Sequence, residues 1–127
     1  MPPAAIVDAA FAARFAAEWI AAWNSHDLDR ILSHYSDDVE MRSPLIVQRG
    51  LDPSGVLRGK AAVGAYWRQG LAATPPIRFE LIGVYAGVGG IALHYLSVGR
   101  RLVVEAVEFG ADGKVTRGAA HHGPAAG

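Results

Sequence analysis

A chain of 127 residues with 12 Lys+Arg, 12 Asp+Glu and no cysteine suits one compact domain and leaves no room for a second. Its net charge of zero at pH 7 lacks the electrostatic footprint of a nucleic-acid or anionic-membrane binder. Without cysteine there is no disulfide framework, thiol nucleophile or thiolate metal site. Hydrophobic residues make up 51%, with 15 glycines beside many alanines, so a polar group in the interior has few companions.

The expected domain spans residues 1–127, with an ordered core over about 6–122. Residues 8–23 read as a helix, because Phe11, Phe15, Trp19 and Trp23 recur at i, i+4 with Ile20 beside them. Asn24-Ser25-His26-Asp27 breaks it. Ser25 or Asp27 caps a second helix carrying Leu28, Ile31, Leu32 and Tyr35, and the sequence leaves both caps open. Ser36-Asp37-Asp38 ends that helix, a short strand covers Val39–Arg42, and Ser43-Pro44 opens a loop. Asp52-Pro53-Ser54-Gly55 is a turn. A third helix is expected from Lys60 to Ala72 on the stripe Val63, Tyr66, Trp67 and Leu71, and Thr74-Pro75-Pro76 stops it.

Four strands then follow, Ile77–Ala86, Ile91–Val98, Leu102–Phe109 and Val115–His122. Short Gly-rich reversals between them argue for antiparallel hairpins. Helices first and a meander afterward imply an α+β fold, with helices over one face of a curved sheet. Acidic residues crowd the first forty positions, and the remainder is net basic. No apolar run approaches the roughly 20 residues of a membrane span, and Met1-Pro2-Pro3 lacks the basic start of a signal peptide. A cytoplasmic protein without membrane or nucleic-acid partners is expected.

Trp23-Asn24-Ser25-His26-Asp27-Leu28, followed by Tyr35-Ser36-Asp37-Asp38-Val39, resembles the opening of nuclear-transport-factor-2-like proteins. Leu57-Arg58-Gly59-Lys60 and Phe109-Gly110-Ala111-Asp112-Gly113-Lys114-Val115 extend the likeness over residues 8–122. The resemblance implies a cone of three N-terminal helices on a strongly curved, mainly antiparallel sheet, enclosing a pocket and assembling as a homodimer. Its SnoaL-like branch includes polyketide cyclases, and ketosteroid isomerase is a relative. Set against that isomerase, the base position is Ser43, the tyrosine donor position is Trp19 and the acid of the penultimate strand is Glu105. Serine is too weak a base to shuttle the proton unassisted, so steroid isomerisation by that mechanism is not expected.

Glu105 stands out on its own, as the carboxylate in an otherwise apolar run, Leu102–Val107. Alternation puts it with Val103, Val107 and Phe109. A two-residue turn at Asp112-Gly113 sets Glu105 opposite Ala120, with His122 on its face. A three-residue turn substitutes His121. A two- or four-residue turn near Gly99 brings His94 to the same face. Glu105, assisted by His94 or His122, is thus the candidate catalytic set. The expected pocket wall is aromatic, with Trp19, Trp23, Tyr35, Tyr66, Trp67 and Phe79. Met41, Ser43, Leu93, Val107 and Ala120 complete it. Adjacent His121 and His122 point to opposite strand faces and cannot chelate one ion, so neither a metal nor another cofactor is expected. Two functions follow: an isomerase, cyclase or aldol-type enzyme acting on a small hydrophobic carbonyl compound, or a noncatalytic ligand-binding or dimeric interaction domain.

Overall fold

The computed structural model describes residues 5–126. Helix α1 runs over Ala9–Ser25, begun by the Asp8 carboxylate, which accepts the N–H groups of Ala10 and Phe11. His26 closes it in the left-handed region, at φ 61°. Asp27 caps α2 (Leu28–Leu32) by accepting the Arg30 N–H, which decides between the two caps the sequence offers. Strand β1 (Tyr35–Arg42), helix α3 (Pro44–Gln48), strand β2 (Val56–Arg58) and helix α4 (Lys60–Leu71) follow. The remainder is β3 (Glu80–Ala86), β4 (Gly90–Leu96), β5 (Arg101–Phe109) and β6 (Val115–Ala125).

One six-stranded sheet has the order β2-β1-β6-β5-β4-β3. All its pairs are antiparallel except β1 with β6, which run parallel. The α+β reading holds, with helices on the sheet, but the strongly curved cone does not. The last strand inserts in the middle beside β1, leaving β2 and β3 at opposite, unjoined edges of an open sheet. Nor are the helices three in a row, because α3 interrupts the strands between β1 and β2.

Two further differences bear on the site. Tyr35 begins β1 rather than ending a helix, because its backbone joins Val115 of β6. Pro44–Gln48 is one helical turn instead of loop, with Ser43 Oγ accepting the Leu45 N–H and proline in its first turn, where a missing N–H costs nothing. The sheet's inner face and the helices bury one core, in which Ala16, Tyr35, Val39, Ile46, Val63, Leu93 and Val115 are wholly inaccessible.

Part of the uneven charge along the chain is met by pairing. Glu40 on β1 meets Arg42, Arg58 and Arg117, Asp37 meets Lys60, and Glu18 on α1 meets Arg30 and His34. Among the described residues, no helix is long and apolar enough to cross a membrane.

Candidate functional site

The segment Asn24–Asp27 works as a staple. Asn24 donates from Nδ2 to the Phe79 carbonyl at 2.9 Å and accepts the Phe79 N–H at 2.7 Å, while His26 Nε2 bonds the Ile77 carbonyl at 2.7 Å. These bonds hold Phe79 beside α1, where its ring lies 5.8 Å from Trp19, 5.5 Å from Trp23 and 4.6 Å from Tyr95. Trp67 of α4 closes on Trp23 edge-on at 5.1 Å.

Beside this cluster lies a cavity of about 550 Å³, a size suited to a drug-sized molecule. Trp19, Trp23, Tyr66, Trp67 and Phe79 border it, with Met41, Ser43 and Ala120. Glu105 and His122 also face it. Tyr35, Leu93 and Val107 do not; they are packed in the core at 2% exposure or less.

Glu105 is 6% exposed. Tyr95 donates its hydroxyl to Glu105 Oε1 at 3.2 Å, and Oε2 has no hydrogen-bond partner among the described residues. Burial disfavours the charged form and pushes the carboxyl up from 4.5 to about 7, against the opposing pull of the Tyr95 bond. Tyr95 and Tyr35 are in turn raised well above the ordinary phenol value, by burial first and by the Glu105 charge second. Tyr66, also raised chiefly by burial, donates to Ser43 Oγ at a long 3.4 Å.

Two expected chemical positions are occupied structurally. Ser43 caps α3, and the Trp19 N–H is spent on the Tyr35 hydroxyl at 2.8 Å. The Trp23 N–H is buried with no hydrogen-bond partner of acceptable geometry among the described residues. It still favours the ionised form of Tyr35.

His94 stands elsewhere. Ser97 donates its N–H to the Arg101 carbonyl at 2.8 Å, so the β4–β5 hairpin closes on a three-residue loop, Val98-Gly99-Arg100, with Gly99 at φ 71° and Arg100 at φ 58°. That odd number pairs Leu93 with Glu105 and sets His94 opposite Val104, on the outward face. Tyr95 takes the inward place, diagonal to Glu105, which is why it supplies the hydrogen bond. The expectation that His94 faces Glu105 is therefore corrected.

On the other side, Glu105 pairs with Ala120 and Val103 with His122, although the turn differs from the two-residue form. Gly110 donates to the Lys114 carbonyl across Ala111-Asp112-Gly113, and a bulge between Glu108 and Phe109 restores the register. His122 is lowered, mostly by burial and next by the Arg101 charge, so it stands neutral at pH 7. Several wall residues were not anticipated, among them Tyr95, which holds Glu105, and two charged ones, Arg49 after α3 and Arg101 at the start of β5. Single surface arginines leave no periodic trace, so no sequence signal marks them. Among the described residues, no group of three or more His, Asp or Glu is placed to hold a metal ion.

A family model described as SnoaL-like domain matches residues 16–122. Among solved structures, a SnoaL-like protein of unknown function from Burkholderia thailandensis E264 is 50% identical, with TM-score 0.91 over 94% of this chain and 100% of that one. An NTF2-like protein of unknown function from Burkholderia xenovorans LB400 is 21% identical, with TM-score 0.69 over 90% and 84%. The epoxide hydrolase/cyclase-like enzyme SalBIII, which has a role in pyran ring formation in the polyether salinomycin, is 19% identical, with TM-score 0.71 over 91% and 93%. No curated protein matches the chain.

Proposed function

The chain belongs to the SnoaL-like family of the nuclear-transport-factor-2-like superfamily, and from that premise we propose that its cavity is an active site. In this reading Glu105 moves a proton on a small hydrophobic carbonyl compound. The observation that carries it is a buried carboxyl in a cavity wall, with Oε1 held by Tyr95 and Oε2 unclaimed. A carboxyl titrating near 7 is divided between base and acid at neutral pH, as a group that both takes and returns a proton should be.

Oε2 removes the proton from the carbon beside the carbonyl. The C–H pair becomes the new C=C bond, and negative charge moves to the carbonyl oxygen. Tyr66, held only by its long bond to Ser43, turns its hydroxyl to that oxygen. Protonated Glu105 then returns the proton to carbon, or the enolate carbon attacks a second carbonyl of the same molecule, the first C=O re-forms, and Glu105 gives its proton to the alkoxide left by the closed ring. The aromatic wall takes the apolar body, and neutral His122 offers a further hydrogen-bond partner. The likeness to SalBIII, whose printed role is ring formation, lends fold-level support only.

Deuterium incorporation beside the carbonyl of cyclic ketones, followed by NMR in D2O, tests this. The native chain should speed exchange, and Glu105→Gln should slow it roughly 10²–10⁴-fold. Equal exchange in both refutes the assignment. Ligand binding without exchange turns the reading to a noncatalytic binding domain.

A homodimer belongs to the same proposal. The middle of the sheet's outward face combines Ala92, Ala106 and Ala119 with exposed Val104 and Tyr85. Small residues permit close face-to-face approach. Light scattering should give twice the 13.4 kDa of one chain. A single-chain mass that persists at high concentration removes the dimer.

A further inference from the structure

The wall of the cavity is electrically lopsided. Its one acid, Glu105, is buried, whereas its two arginines, Arg49 and Arg101, are exposed. Neither guanidinium has a carboxylate partner among the described residues, although Glu18 and Glu40 engage Arg30, Arg42, Arg58 and Arg117 elsewhere. The Arg49 guanidinium lies 5.7 Å from the Tyr66 ring centroid, and the Arg101 guanidinium donates to the Gly123 carbonyl at 3.3 Å. Each guanidinium carries five N–H donors in a planar fork, so most of this capacity is open.

We propose that the substrate of this site carries a carboxylate, held at the cavity rim by Arg49 and Arg101. This rests on the proton-transfer reading above and narrows it from hydrophobic carbonyl compounds to hydrophobic keto acids. A planar guanidinium matches a carboxylate through two parallel hydrogen bonds, a match a lysine would not give. Among the described residues that line the cavity no acid besides Glu105 stands near the arginines, and Glu105 sits four residues beyond Arg101 on the same strand. At roughly 3.3 Å per residue, Arg101 and Glu105 stand about 13 Å apart at Cα. The reach of both side chains shortens that to the length of a one- or two-ring compound. The apolar rings fill the interval, with the ketone at Glu105 and the carboxylate at the rim.

Calorimetric titration at pH 7 with matched pairs tests the proposal: 4-acetylbenzoate and 4′-acetylbiphenyl-4-carboxylate, each against its methyl ester. At least one acid should bind tenfold or more tightly than its ester. Arg49→Met and Arg101→Met should each shrink that ratio toward one while ester affinity and the thermal midpoint hold. Arg101→Lys should keep part of it. Equal binding of acid and ester in both pairs overturns the proposal, as does absence of binding by both acids or a ratio that survives in the double methionine variant. A matched arylphosphonate that binds more tightly than the carboxylate also overturns it. Glu105→Gln should leave the acid preference standing, so failure of the base assignment is separable from failure of the carboxylate clamp.

Discussion

Glu105→Gln is expected to make the protein more stable than the native chain at pH 8, by about 3 kcal/mol. The native carboxyl titrates near 7 when folded, against an ordinary value of 4.5 in the unfolded chain. Between those values the folded state binds more protons than the unfolded state, so native stability falls as pH rises from about 4.5 to 7. The glutamine amide removes the ionisation while its oxygen still accepts from Tyr95. Urea midpoints at pH 5 and pH 8 measure the effect: the gap between variant and native chains should open only at the higher pH. A gap of the same size at both values would mean the carboxyl is not raised by burial. Coupled to the exchange experiment, a more stable but inactive variant would mark Glu105 as a group kept for function at a cost in stability.

Trp19→Ala should destabilise the fold by about 3–5 kcal/mol. The indole is 1% exposed and touches Trp23, Phe79 and Tyr95 at ring distances of 6.1, 5.8 and 5.2 Å. Truncation also leaves the Tyr35 hydroxyl without its donor. Denaturant titration should show a lower midpoint at unchanged slope. Trp19→Phe keeps most of the ring contacts and should cost about 1–3 kcal/mol, chiefly through the lost hydrogen bond. A loss under 1 kcal/mol for the alanine variant would show that the aromatic cluster does not hold α1 to the sheet.

Helices α1 and α4 are legible because their apolar residues recur at helical spacing over several turns, and the strand meander because β-branched runs alternate with Gly-rich reversals. The start of β1 is illegible for a local reason. Ser36-Asp37-Asp38 carries turn chemistry, and only the pairing of Tyr35 with Val115, eighty positions away, draws this stretch into the sheet. Helix α3 did leave a signal, serine followed by proline, masked by the strand-like Leu45-Ile46-Val47.

Glu105 and Ala120 emerge as partners because the extra residue of the three-residue Ala111–Gly113 turn is offset by the bulge at Glu108, which the sequence does not announce. At Gly99 nothing offsets the odd residue, so one position exchanges His94 for Tyr95. Parity fixes which side chain faces inward, and a left-handed Gly99-Arg100 pair is not readable from neighbouring residues. The exposed arginines of the rim belong to separate elements, and only the folded chain brings them to one cavity.

The parallel ladder between β1 and β6, which joins Met41 to Gly118 and Arg42 to Ala119, also bears on how the protein acquires its site. Closing a loop of that length costs chain entropy before any contact repays it. Helices and the β3–β6 hairpins, which already set Glu105 beside Ala120, can assemble from neighbours, but Met41 and Ser43 reach the cavity only when β1 docks on β6. The site should therefore mature late in folding. In a refolding experiment, cavity ligation should lag behind the gain of helical signal.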